Sequence, residues 1–127
     1  MREKRAQGSL TYTSPGEIIM TLKLPTPVSD YFIADRLDAE AVALCFTDNA
    51  IVKDEGHVYN GRAAIKKWKQ DVSTKYTYTC EPLACDEQGG KVIVTCRLTG
   101  NFPGSPVDLR FIFEFESEKI ASLEVVP

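Results

Sequence analysis

The sequence predicts an α+β domain in which helices of the first half cover one face of a strongly curved, mainly antiparallel sheet formed by the second half, enclosing a pocket. Three observations carry this reading. Between residues 26 and 73 apolar side chains recur at helical spacing. From Lys75 onward the period changes to two, in segments separated by turns rich in Gly, Pro and Ser. Within the segment 107–117, Val107, Leu109, Phe111, Phe113 and Phe115 share one face while Asp108, Arg110, Glu114 and Glu116 share the other, so the sheet needs cover on one side only.

Taken in order, Thr26-Pro27 reads as a helix entrance, with Thr26 as N-cap and Pro27 at the first helical position, where a missing N–H costs nothing. Val28, Tyr31, Phe32 and Asp35 follow at helical spacing, which puts a phenol and a carboxylate on an otherwise apolar face. Asp38 reads as the N-cap of a short helix, "AEAVALCF", whose Val42, Cys45 and Phe46 continue the buried stripe. "AIVK" is a short strand in which Val52 and Asp54 point the same way, so an inward Val52 carries Asp54 inward. "EGHVYNG" has turn residues at both ends, with Asn60-Gly61 closing it and capping the helix "RAAIKKWKQDVS". Ile65, Trp68 and Val72 form the apolar stripe of that helix, and Lys66, Lys67, Lys69 and Gln70 are assigned mostly outside it. Four antiparallel strands complete the chain: "KYTYTCEPLAC", "KVIVTCRLT", "VDLRFIFEFES" and "KIASLEVV".

Composition narrows the class. At 127 residues the chain is one domain by size, long enough to bury a core without disulfide or metal staples. Its hydrophobic share of 43% and charged share of 26% are those of an ordinary soluble domain, which argues against a disordered or membrane class. A net charge of −3 with scattered Lys and Arg argues against a nucleic-acid partner, which needs a concentrated basic surface. Cys45, Cys80, Cys85 and Cys96 show neither CxxC spacing nor a His cluster for a metal, so they read as reduced, mostly buried thiols of a cytoplasmic protein. The N-terminus lacks the continuous apolar core of a signal peptide. Because Met20 opens "MTLKLPTP", residues 1–19 read as an upstream extension or appended segment and residues 20–127 as the single domain.

The strings "VSDYFIADRLDAEAVALCFTDNAIVKDEG", "YNGRAAIKKW" and "GSPVDLRFIFEFESEKIASLEV", in this order of elements, resemble the cone-shaped superfamily shared by nuclear transport factor 2, ketosteroid isomerase and SnoaL-type polyketide cyclases. The resemblance covers roughly residues 26–127 and bears on the superfamily rather than on any single reaction. It implies a cystatin-like, NTF2-like cone with a deep pocket, a homodimer formed through the sheet, and no required metal or organic cofactor. Tyr31 falls where ketosteroid isomerases keep an oxyanion-hole tyrosine, and Asp54 where they keep the general base. Phe111 occupies the position of their second donor, a protonated carboxylic acid, so the chain departs from the isomerase pattern there. What remains, a base and one donor, is closer to the cyclases.

These expectations define a candidate site. Asp54 is read as a general base whose pKa an apolar cavity would raise, or else as a solvated carboxylate capping the Glu55-Gly56 turn. Tyr31 is read as a donor to a developing oxyanion, or as a packed core phenol. His57, the only histidine, is read as a proton relay or rim contact, or as a surface residue. Asp35, Trp68, Phe111 and Phe113 are read as substrate-facing, with a solvated helix face the alternative for Asp35 and core packing for Trp68. Arg62, unfavourable in a first helical turn, suggests a carboxylate partner, Asp54 or Glu55. With Asp35 and Asp54 it imitates only loosely the aspartate–arginine–aspartate water site of epoxide hydrolysis. The function expected is proton transfer on a hydrophobic carbonyl compound, as an isomerase or cyclase; the alternative is a dimeric, non-enzymatic ligand-binding or interaction module. The first requires Asp54 and Tyr31 to converge on one empty volume, and the second a filled cavity.

Overall fold

A computed structural model describes residues 22–127, so the expectation for residues 1–19 lies outside the described residues. Helix α1 (Thr26–Asp35) starts one residue earlier than expected. Pro25, not Thr26, holds the N-cap position, and its carbonyl accepts from Val28 N at 3.0 Å and Ser29 N at 2.9 Å. Helix α2 (Ala39–Ala43) starts at Asp38 as expected, the Asp38 carboxylate accepting from Ala41 N at 2.8 Å. It stops short of Phe46, because Cys45 O takes the Ile120 amide at 3.0 Å and Phe46 pairs with Ile120, which pulls the chain into a strand.

That strand, β1 (Phe46–Asp54), turns at Glu55-Gly56 into β2 (His57–Asn60). Both turn residues have positive φ, +53° and +79°, the geometry that matches the twist of a two-residue hairpin. The segment between the two sets of turn residues, given no element from sequence, is thus a short paired strand. Helix α3 (Gly61–Lys75) follows, and then β3 (Tyr78–Gln88), β4 (Lys91–Gly100), β5 (Val107–Glu116) and β6 (Lys119–Val126).

The six strands form one sheet in the order β2-β1-β6-β5-β4-β3, antiparallel except for the parallel β1–β6 pair. Register shifts at Pro82/Ala84, Phe46/Ile51 and Glu114/Phe115 mark irregular pairing that bends the strands and curves the sheet around the helices. The covered face carries Val92, Val94 and Cys96 of β4 and Phe111 and Phe113 of β5, all buried. Against them pack Val28, Tyr31 and Phe32 of α1 and Ile65 and Trp68 of α3. Phe113 and Ile65 are fully buried, each contributing about 1.5–3 kcal/mol over an exposed position. The opposite face holds the exposed cross-strand pair Arg97–Asp108, two hydrogen bonds of 2.9 and 3.1 Å.

Candidate functional site: a charged cavity between helices and sheet

Between α1, α3 and the curved sheet lies a cavity of about 490 Å³. Leu98, Leu109, Phe111 and Val125 form its apolar wall, and Phe102, Pro103 and Gly104 of the β4–β5 loop flank it. Its polar wall is built by α1, α3 and the strand ends β1 and β3: Tyr31, Asp35, Asp54, Glu55, Lys69 and Tyr78.

Asp54 arrives there by strand alternation, two residues after the fully buried Val52. One carboxylate oxygen accepts the Trp68 indole N–H at 3.0 Å. Burial raises the Asp54 pKa above its ordinary value, Trp68 pulls the other way, and the neighbouring Glu55 charge adds to the rise. The carboxylate is thus held by a neutral donor, in a setting that favours taking a proton.

Lys69 is the residue that sequence reasoning misplaced. Expected mostly outside the stripe of α3, it is only 5% exposed. Its ammonium lies 2.5 Å from Asp35 Oδ1 and donates to the Tyr78 hydroxyl at 2.9 Å, with the Trp68 ring centroid 4.8 Å away. The Lys69 ammonium is thus the charge partner that Asp35 Oδ1 has among the described residues. Burial opposes the Lys69 charge, and Asp35 and Tyr78 outweigh it, so the pKa stays above its ordinary value and the group is an ammonium. The solvated alternative for Asp35 is therefore corrected: its side chain is 8% exposed because α3 supplies a counter-ion.

Tyr31 lines the cavity at 1% exposure, boxed by the rings of Phe32, Phe46, Phe111 and Phe113 at centroid distances of 5.2, 6.1, 6.3 and 5.5 Å. Burial first, and then the Asp35 charge, raise its pKa well above the ordinary phenol value. It is a neutral hydroxyl, able to donate. Trp68 and Phe111 line the cavity. Phe113 does not: it is buried behind Phe111, the two rings stacked at 6.4 Å. His57 is exposed and outside the cavity lining, although it is the direct cross-strand partner of Asp54. Arg62 turns away, donating to Phe46 O at 2.9 Å and pairing with Asp48 at 2.7 Å, so neither Asp54 nor Glu55 is its partner and the loose aspartate–arginine–aspartate imitation is not assembled.

The four cysteines are free thiols. Cys80 lines the cavity, but the neighbouring Cys96 thiol and burial hold its pKa well above the ordinary value, which leaves it a poor nucleophile. Among the described residues no group of three or more His, Cys, Asp or Glu is arranged to hold a metal ion, and no helix is long and apolar enough to cross a membrane.

Helices wrapped by a curved, unclosed six-stranded sheet, with a polar-walled cavity between them, define an α+β pocket protein of the cystatin-like, NTF2-like type. Residues 31–123 match the SnoaL-like domain, and the chain belongs to that family. Among solved structures, a candidate polyketide cyclase from Sinorhizobium meliloti is 38% identical, with 80% of this chain and 94% of that one covered at a TM-score of 0.77. A hypothetical protein of ketosteroid isomerase-like fold from Catenulispora acidiphila, in complex with trimethylamine, is 18% identical, with coverage of 83% and 87% and a TM-score of 0.73. SalBIII, an epoxide hydrolase/cyclase-like enzyme with a role in pyran ring formation in the polyether salinomycin, is 24% identical, with coverage of 80% and 87% and a TM-score of 0.67. No curated protein sequence matches the chain.

Proposed function

We propose that this protein binds a hydrophobic carbonyl compound and moves a proton on it, as a cyclase or isomerase that needs no metal or organic cofactor. The observation that carries the proposal is that Asp54 and Tyr31 line one open cavity, where a filled core would have favoured an interaction module. Asp54 is the base: half-buried, held by a neutral indole and biased towards protonation. Tyr31 donates to the carbonyl oxygen as charge develops on it, and Trp68 and Phe111 hold the apolar body of the ligand. His57, across the hairpin from Asp54, exchanges the abstracted proton with solvent at the rim. Kinship with a candidate polyketide cyclase favours the cyclase branch. The reading includes a reduced, cytoplasmic homodimer paired through the outer sheet face, where half-buried Ile93 and Ile112 are cross-strand partners and exposed Arg110 and Glu114 flank Ile112.

The test is deuterium exchange at the carbon next to the carbonyl in a panel of hydrophobic ketones and β-dicarbonyl compounds. The protein should accelerate exchange for part of the panel, and Asp54→Asn should lower the rate by about 10²–10⁴-fold, the usual contribution of a positioned base. Equal rates for the two proteins would remove Asp54 from the chemistry.

A further inference from the structure

When Asp54 takes a proton from carbon, the C–H electron pair becomes the enolate double bond and the carbonyl π pair moves onto oxygen. That oxygen needs donors. Phe111 offers none, which leaves Tyr31, packed among aromatic rings at the cavity wall, as a single donor. Successive residues of a helix diverge by about 100°. Trp68 and Lys69 use that divergence to reach different partners, the indole to Asp54 and the ammonium to Asp35 and Tyr78.

The direction of the Lys69–Tyr78 hydrogen bond decides what the phenol can do. An ammonium has no lone pair, so Tyr78 can only accept from it, and its own O–H proton remains to be given elsewhere. Among the described residues no acceptor takes that proton, and Tyr78 lines the cavity. Proton transfer neutralises Asp54 and places its negative charge on the ligand oxygen, so the cavity's total charge is unchanged and the charge moves away from Glu55. Because Asp35 offsets the Lys69 charge, what awaits the oxyanion at this wall is the free phenol O–H rather than a net positive field.

We propose that Tyr78 is a second donor to the ligand oxyanion, with Lys69 as the positioning residue that orients and polarises it, so that the site takes ligands whose oxygen becomes an enolate or a phenolate. This deepens the proton-transfer reading and rests on it. Protonation of the enolate carbon by Asp54 then returns the electron pair to a C–H bond and frees Tyr78.

The probe is 4-nitrophenol, whose neutral and anionic forms absorb at different wavelengths, bound to Asp54→Asn protein so that the uncharged amide stands in for protonated Asp54. In that background the bound probe should ionise at lower pH than the free one. Adding Tyr78→Phe should weaken the preference for the anion about tenfold, one pH unit of bound-probe titration, with the thermal melt retained. A Tyr78→Phe protein that titrates the probe like its parent, a probe bound only in its neutral form, or no binding at millimolar concentration each overturns the proposal. Should Tyr78→Phe fail to fold, the ring-carbon NMR signal of ¹³C-labelled Tyr78 in the Asp54→Asn protein decides: it must move with 4-nitrophenolate and stay put with neutral 4-nitrotoluene. Because this experiment never uses Asp54 as a base, it can fail while the exchange test succeeds, and the reverse.

Discussion

Lys69→Met is the perturbation that most directly probes the charge arrangement of the cavity. The substitution keeps most of the side-chain volume and removes the ammonium, leaving Asp35, 8% exposed, without its counter-ion. At an effective dielectric of about 20, two unit charges about 4 Å apart interact by about 4 kcal/mol, and breaking a buried pair from one side typically costs about 3–5 kcal/mol. Against a total stability of about 5–15 kcal/mol for a domain, that is a large share, equivalent to a fall in Tm of more than about 10 °C. The double variant Asp35→Leu with Lys69→Met behaves differently, since replacing both charges by apolar groups removes the desolvation penalty along with the attraction. It should unfold within about 1 kcal/mol of the parent, the residual loss being the Tyr78 hydrogen bond. Urea unfolding of the parent, the Lys69→Met and Asp35→Leu single variants and the double variant at pH 7, followed by far-UV circular dichroism, closes the cycle. A coupling energy below about 1 kcal/mol, with Lys69→Met as stable as the parent, would refute the reasoning by showing that water reaches the pair.

Two other outcomes follow from the same contacts. Trp68→Phe removes the indole donor that lowers the Asp54 pKa, so that pKa rises further, and the low-pH limb of the exchange rate, where Asp54 is protonated and inactive, should move to higher pH. A pH–rate profile unmoved or displaced to lower pH contradicts the assignment of that limb to Asp54. Gly100→Ala drives a Cβ into Thr77 O and to 2.7 Å from Tyr78 Cβ, so the start of β3 must shift. A loss of about 1–3 kcal/mol in urea unfolding is expected from such overpacking, together with weakened 4-nitrophenolate binding as Tyr78 is displaced.

Most of the scaffold was legible because its periods are clean. The segments read as strands at 91–99, 107–117 and 119–126 differ from the observed β4, β5 and β6 by no more than a residue at either end. The errors fell where tertiary contacts override local pattern. Phe46 continues the apolar stripe of α2 in sequence, and only its pairing with Ile120, distant along the chain, turns it into a strand residue. His57–Asn60 is four residues long, too short for alternation to register, and is held by the Glu55-Gly56 hairpin. Lys69 was hidden by its neighbours Lys66 and Lys67, although the signal was present. Ile65, Trp68, Lys69 and Val72 stand at i, i+3, i+4 and i+7 of α3, and Val28, Tyr31, Phe32 and Asp35 stand at the same spacing on α1. Each stripe has one charged member, and the two are opposite in sign. Two apolar faces that pack on one core can carry such charges only as a pair.

That pairing also divides the labour between the two aspartates. Asp35 is held by an ion pair in a nearly dry setting, whereas Asp54 is held by one hydrogen bond from a neutral indole. Two carboxylates on one cavity are thereby given different settings by their partners: one anchors an ammonium and the phenol beyond it, the other holds a single hydrogen bond from a neutral indole, as the proposed base requires. Both partners are consecutive residues of α3, so the separation is set by the pitch of one helix. A shift of that helix by a single residue would leave both carboxylates without their partners, the reason a rigid, packed helix, rather than a loop, carries this wall.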